Sequence, residues 1–224
     1  MSAQSDLTHR LPPAALWRDP ARGFALRAAL VTLAAALLLG APLLLGGRVL
    51  SGGDIVNQYL PYKHLVRSLL AQGQFPHWDP MIFGGRSLQG DIQVGLFYPL
   101  NVFFWLLPLP WAFTVVALLH YWLAGWGMAL WSRRWMRGDA GALLAGVLYM
   151  LAGRFTVVLT DGVVLLPEAA AYLPWLLWAW HRLAQSLDED LERAPWDFAA
   201  VVGLLGMTAS ARFWTMASRM WSAS

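Results

Sequence analysis

Two aspartates in one long polar stretch have the side chains that general acid–base chemistry requires. Asp54 follows two glycines, and Asp91 follows Gly90. A carboxylate beside an acceptor hydroxyl acts as a general base, which makes Asp54 and Asp91 the candidate catalytic residues. Asp54 also precedes a helical period, where an aspartate caps free backbone N–H groups, and the two roles are equal alternatives. Asp79, before Pro80, is more typical of a turn.

The stretch that follows Asp54 has hydrophobic residues at helical spacing, namely Ile55, Val56, Tyr59, Leu60, Val66, Leu69 and Leu70. This pattern predicts an amphipathic helix on the membrane surface, with Pro61 in its first turn. Lys63 and Arg67 are four residues apart on the predicted polar side, together with Gln58. The two cations fit a phosphate clamp and fit equally a general attraction to anionic lipid headgroups.

Polar and aromatic side chains in the same region are the candidate substrate contacts, namely Gln58, Tyr59, Lys63, Arg67, His77 and Tyr98. The nearby histidines, His64 and His77, lack the spacing of a metal site. We therefore expect no cofactor, and the sequence gives no support for a divalent metal. The chain has no cysteine, which excludes a thiolate nucleophile and a disulfide framework.

The composition predicts a membrane protein that positions these residues with helices. Hydrophobic residues make up 58% of the chain and charged residues 13%, whereas soluble domains carry about 25% charged residues. Fourteen tryptophans and six tyrosines fit an aromatic belt at the membrane interface. The net charge of +3 is modest and gives no reason to expect nucleic acid as a partner. The predicted fold class is an all-α polytopic helical bundle.

The spacing of the apolar runs predicts four to five spans, at 28–47, 111–131, 141–159, 163–180 and 198–207. Residues 28–47 are twenty residues without a charge, which is the length that crosses the hydrocarbon core. A signal peptide is the competing interpretation of this first run, although the run is long for one. Residues 97–107 have the length of an interfacial or re-entrant piece.

The distribution of arginine predicts the topology. Arginines flank the first run on its N-terminal side and follow the second span, at Arg10, Arg18, Arg22, Arg27, Arg133, Arg134 and Arg137. Basic residues favour the cytoplasmic side, so residues 1–27 and the turn after residue 132 are predicted to be cytoplasmic. The loop 48–96 is then external, as are Asp161 and Gly162, and the acidic run after His181 is cytoplasmic.

Three ordered motifs in the long loop resemble the bacterial YfhO-type membrane proteins, which are similar to polytopic glycosyltransferases of the C superfamily. These motifs are GGDIVNQYLPY at 52–62, FPHWDPMIFGG at 75–85 and QGDIQVGLFYPLN at 89–101. Weaker resemblance continues through LYMLAGRF at 148–155 and YLPWLLWAWHRL at 172–183. The resemblance covers roughly residues 25–205.

The resemblance implies an enzyme of the bacterial cytoplasmic membrane that moves a sugar from a polyprenyl-phosphate donor to an acceptor on the outer face. In such enzymes an acid in the first outer loop is the catalytic base, and Asp54 is at the matching position. Asp91 is similar to the second loop acid. Lys63 and Arg67 would offset phosphate charge on the leaving group. Expected partners are the lipid-linked donor and membrane lipids, and the sequence does not define an oligomeric state.

Members of the family have more spans than this chain. The segment 208–224 lacks the expected hydrophobic continuation, and a truncation or frameshift of a longer reading frame would produce such an end. An inactive truncated fragment is therefore one alternative. The alternative function is a non-catalytic transport or assembly subunit that uses the loop to bind lipid headgroups or a partner. Charged residues inside the spans would favour transport.

Overall fold

The protein is described by a computed structural model that covers residues 20–82, 84–91, 93–153, 155, 165–189 and 193–206. The helices are α1 (Pro20–Leu45), α2 (Leu60–Ala71), α3 (Val102–Leu106), α4 (Leu109–Ser132), α5 (Asp139–Met150), α6 (Leu165–Glu189) and α7 (Ala194–Gly206). A π-helical segment, Ile55–Tyr59, precedes α2, and a 3-10 turn, Pro99–Asn101, precedes α3. Two short strands, β1 (Trp78–Asp79) and β2 (Arg86–Ser87), form a hairpin. The all-α prediction is confirmed.

Helix α4 is the centre of the bundle, and α1 packs antiparallel against it. The indole of Trp122 donates to the carbonyl of Ala29 at 2.9 Å, and Trp126 donates to the carbonyl of Ala25 at 3.1 Å. A step of four residues down α4 therefore matches a step of four residues up α1. Tryptophan N–H groups need a partner when buried, and here they fix the register between the two helices.

Helices α5 and α6 pack on other sides of α4. Trp175 donates to the carbonyl of Leu123 at 2.8 Å, and the ring of Tyr172, three residues earlier on α6, lies 6.1 Å from the ring of His120, three residues earlier on α4. Helix α6 therefore runs parallel to α4. Gly146 of α5 lies against the backbone of α4, where an added Cβ would stand 2.5 Å from the carbonyl oxygen of Gly125. A larger residue at position 146 would push these helices apart.

Two helices are long and apolar enough to cross a membrane, Arg22–Leu45 and Leu109–Ser132. They correspond to the predicted spans 28–47 and 111–131. In the described residues, helix α1 already runs from Pro20, ahead of the predicted span 28–47. The third predicted span has a helix of 12 residues, α5, and residues 156–164 lie outside the described part. The same holds for Asp161, Gly162, residues 1–19 and the segment 207–224.

Basic residues gather at one end of the bundle. Arg27 of α1 and Arg133 at the end of α4 both pair with Asp139 at the start of α5, at 2.7 and 2.6 Å. The ring of His181 on α6 lies 6.4 Å from that of Trp135 at this same end. The predicted topology requires these segments to share one side. The loop 48–96 leaves the opposite end of α1.

The helix after Asp54 agrees with its prediction in one respect and differs in another. Pro61 lies in the first turn of α2, as predicted, and helical backbone already begins near Gly52 and passes through the π-helical segment. There the N–H of Leu60 donates to the carbonyl of Ile55, and this wider turn precedes a proline that has no N–H to give. The placement of Lys63 on a solvent-facing side is wrong, since Lys63 is 4% exposed.

Candidate functional site

The hairpin in the loop 48–96 depends on a tight turn. Trp78 pairs with Ser87, and Asp79 pairs with Arg86. Asp79 is buried, and its Oδ1 accepts a hydrogen bond of 2.9 Å from the backbone N–H of Met81, which agrees with the turn role expected for it. Gly85 has φ +108°, and a Cβ there would stand 2.5 Å from the Trp78 ring.

Arg86 attaches this hairpin to the second candidate acid. Its Nη1 lies 2.5 Å from Oδ2 of Asp91, and its guanidinium lies 4.0 Å from the centre of the Tyr62 ring. The other oxygen of Asp91 accepts a hydrogen bond of 2.7 Å from the backbone N–H of Gln93. Both oxygens of Asp91 are thus engaged, which holds the loop in place.

Lys63 is buried beneath the segment that leads into α3. Its ammonium donates to the carbonyl of Val94 at 2.7 Å and lies 4.5 Å from the centre of the Phe104 ring. Burial lowers the pKa of Lys63 to about 8, although the charges of Glu168 and Asp91 act in the opposite direction. Lys63 therefore serves as an internal tether with positive charge.

Arg67, one turn after Lys63, makes a second tether. Its Nη1 donates to the carbonyl of Leu107 at 2.7 Å. The two residues predicted to clamp a phosphate thus both donate to backbone carbonyls of the segment 94–107. Arg67 stays half-buried, whereas Lys63 is enclosed. Together they hold α2 against the return of the loop into α4.

The phenol of Tyr59 is affected by the charges of several carboxylates. It is buried in the cluster that contains Phe104 and Phe113. Burial raises the pKa of the Tyr59 phenol above its usual range, and the charges of Glu168, Asp54 and Asp91 add to that rise. The charges of both predicted catalytic acids therefore act on Tyr59, as does the charge of a third carboxyl group, on α6.

Tyr98 joins the loop to the two long helices. Its hydroxyl bonds to Nε2 of His120 on α4 and to the hydroxyl of Tyr172 on α6, the latter at 2.7 Å. His120 is buried, and its Nδ1 lies 2.7 Å from the carbonyl oxygen of Val116. Burial, and then the charge of Glu168, raises the pKa of Tyr98 above its usual range. The segment 97–107 thus enters the bundle beside the middle of α4.

Glu168 lies one helical turn before Tyr172 on α6 and is half-buried. Its charge acts on Tyr59, Lys63 and Tyr98, which come from three successive parts of the loop. Glu168, His120 and Tyr172 were not predicted as site residues. Their signal was available, because an ionisable group inside an apolar run is itself an indication of function.

Asp54, Gln58 and His77 lie around this centre. Asp54 is exposed, has helical dihedral angles (φ −68°, ψ −35°) and makes no side-chain capping bond to any described residue. Gln58 is half-buried in the π-helical segment. His77 is exposed on the hairpin, with Nδ1 3.1 Å from Oε1 of Gln89. The predicted candidates Tyr59, Lys63, Asp91 and Tyr98 come together, and Arg67 and His77 stand farther out along α2 and the hairpin.

Within the described ranges, no group of three His, Cys, Asp or Glu side chains is arranged to hold a metal ion. Comparison of the chain with models of protein families, with curated proteins and with solved structures finds no match. Function must therefore be inferred from the residues themselves.

Proposed function

We propose that the chain is a polytopic protein of the bacterial cytoplasmic membrane that transfers a sugar from a polyprenyl-phosphate donor to an acceptor on the outer face. In this proposal it belongs with the YfhO-type proteins and the C superfamily of glycosyltransferases. Helices α1 and α4 are full spans, and α5, α6 and α7 supply the remaining membrane segments. The N-terminus is cytoplasmic.

Helix length and charge support this arrangement in the membrane. Each of the two long apolar segments has 24 residues, which at about 1.5 Å per residue exceeds the roughly 30 Å hydrocarbon core. Arg27 and Arg133 meet at one end of the bundle, and cytoplasmic ends carry such basic residues. The polar site at the opposite end then faces outward.

The observation that carries the proposal is that Asp54 is exposed and makes no capping bond to a described residue. Its carboxylate is exposed directly beyond the outer end of α1, and no described residue uses it as a cap partner. An acceptor hydroxyl at the membrane surface can therefore approach it, as a general base requires. Asp91 is held by Arg86 and by the backbone N–H of Gln93, and its role in this proposal is to fix the loop.

Positive charge beside these acids supports a phosphate leaving group. Lys63 is enclosed below the loop, and the guanidinium of Arg67 stands one turn further along α2. Fixed cations in a site that excludes water stabilise negative charge as it develops. In this proposal Lys63 acts through its electrostatic field, since its ammonium is already bonded to Val94.

A second candidate function is transport, and a specific observation favours it. His120 on α4 and Glu168 on α6 place titratable groups between apolar helices, which is typical of ion or proton pathways. A transporter would move a proton or solute across sealed vesicles without consuming a lipid-linked sugar. Measuring proton uptake in the same proteoliposomes used for sugar transfer separates the two functions.

The proposed function is tested with purified protein in proteoliposomes that contain radiolabelled polyprenyl-phosphate sugars and envelope acceptors. Asp54→Asn removes the base and keeps the shape of the side chain, so transfer should fall about a hundredfold to ten-thousandfold. Asp188→Asn is the matched control, because Asp188 is an exposed carboxylate near the far end of α6. Transfer that survives Asp54→Asn, or the absence of transfer by the wild type, would refute the proposal.

A further inference from the structure

The hydrogen-bond chain through Tyr98 has a direction that the geometry determines. A carbonyl oxygen only accepts, so Nδ1 of His120 must carry the proton that it donates to Val116. In the neutral imidazole, Nε2 is then an acceptor, and the hydroxyl of Tyr98 donates to it. The oxygen of Tyr98 is left to accept, and the hydroxyl of Tyr172 donates to it.

This series of hydrogen bonds therefore ends on an oxygen, that of Tyr172, that can accept a further hydrogen bond. The hydroxyl proton of Tyr172 is used by Tyr98, while the lone pairs of the Tyr172 oxygen receive no donor from the described residues. Glu168 lies one turn away on the same face of α6, and no described residue donates a hydrogen bond to its carboxylate. Glu168 is half-buried, so part of the residue stays open to solvent.

We propose that Glu168 and Tyr172 form a subsite that accepts hydrogen bonds from the hydroxyl groups of a neutral sugar. Two acceptors on one helical face, beside the rings of Tyr98 and Tyr172, suit a ligand that offers several O–H donors and an apolar ring face. A phosphate group has no such donors and would be repelled by the carboxylate. The inference rests on the proposed function, because the sugar in question is that of the lipid-linked donor.

This assignment separates the two parts of the donor between two regions. The sugar lies against α6, whereas the phosphate lies toward Lys63 and Arg67 on α2. Tyr98 is then a positioning residue, since it orients Tyr172 through the hydrogen bond between their hydroxyls. Removing the Tyr172 hydroxyl from the subsite should reduce recognition of the sugar and leave recognition of the polyprenyl phosphate unchanged.

The test is equilibrium binding to the complete chain in nanodiscs. The probes are polyprenyl phosphate and its glucose, galactose and N-acetylglucosamine forms, and the readout is the ratio of the sugar-free Kd to the Kd of the preferred sugar form. Tyr172→Phe should lower this ratio about threefold to tenfold, and Glu168→Gln about tenfold to a hundredfold, since a bond to a charged group is stronger. The Kd of sugar-free polyprenyl phosphate should not change in Tyr172→Phe, which also shows that this variant is folded. In Glu168→Gln the ratio of the two Kd values is the readout, because the loss of the Glu168 charge also acts on Lys63 and so on both probes.

Tyr121→Phe is the matched control, because it removes a buried tyrosine hydroxyl of α4 that donates to the carbonyl of Phe155, outside the subsite. A wild type without sugar preference, or both variants with an unchanged ratio, would overturn the subsite. If Asp54-dependent transfer persists while the ratio is unchanged in both variants, the subsite is wrong and the proposed function stands. If the ratio falls as expected but no sugar is transferred, the subsite stands and the transferase function is wrong.

Discussion

Lys63 provides the sharpest prediction because it is the single lysine of the chain. The chain also has no cysteine, so no other lysine and no thiol titrates in the same pH range. Burial lowers the pKa of Lys63 from 10.5 to about 8. Between these two pH values the unfolded chain holds a proton that the folded chain has released, so the free energy of unfolding rises with pH. The full difference corresponds to about 3 kcal/mol, of which about 2 kcal/mol appears between pH 7 and pH 9.5.

The upper limit of this window is set by Tyr59 and Tyr98. Burial raises the pKa of both phenols, so they stay neutral in the folded protein while those of the unfolded chain ionise above about pH 10. A raised pKa contributes stability below the unfolded value and loses it above, which is the opposite sign to Lys63. The free energy of unfolding should therefore increase to about pH 9.5 and then decrease.

The assay is denaturant unfolding in detergent micelles at several pH values, for the wild type, Lys63→Met and Glu168→Gln. Lys63→Met should show no rise between pH 7 and pH 9.5, because methionine is an unbranched side chain only one atom shorter than lysine and does not titrate. In Glu168→Gln the rise should begin at lower pH, because a charge that favours the ammonium form has been removed. Wild-type and Lys63→Met profiles that run parallel would refute the internal tether.

Two further predictions concern the topology and the hairpin. A cysteine at Ser87, which is exposed in the outer loop, should react with an impermeant thiol reagent in intact cells, and one at Ala140 should react only after lysis; the reverse pattern would invert the topology. Gly85→Ala should destabilise the protein by about 1–3 kcal/mol, because φ is +108° and the new Cβ meets Trp78. Gly53→Ala, which has open space around it, should leave the thermal midpoint nearly unchanged, and equal midpoints for both variants would contradict this account.

The helical class and the central span could be predicted because they depend on local patterns. The run of α4 is apolar over its whole length, so the predicted 111–131 differs little from Leu109–Ser132. Helix α1 also includes Arg22 and Arg27, ahead of the predicted span 28–47, because these residues interrupt the apolar pattern without ending the helix. Long arginine side chains on a helix end remain in the polar region while the backbone continues.

The site was predictable only in part, because its members meet through contacts that the sequence does not encode locally. Helical periodicity placed Lys63 on the polar side of α2, but a carbonyl at Val94 and the ring of Phe104 cover that side. Glu168 and His120 were visible as interruptions of apolar runs. That they face Tyr98 depends on the parallel packing of α4 and α6, which tertiary structure alone decides.

The most direct test of the central claim is where the donor binds. A polyprenyl-phosphate sugar that carries a photoreactive diazirine on its sugar ring is crosslinked to the protein in nanodiscs, and the labelled peptides are mapped by mass spectrometry. The account predicts label within residues 54–63, 91–98 and 165–172 that an excess of unlabelled donor removes. Label confined to the arginine-rich turn at 133–138, or label that unlabelled donor does not reduce, would contradict it.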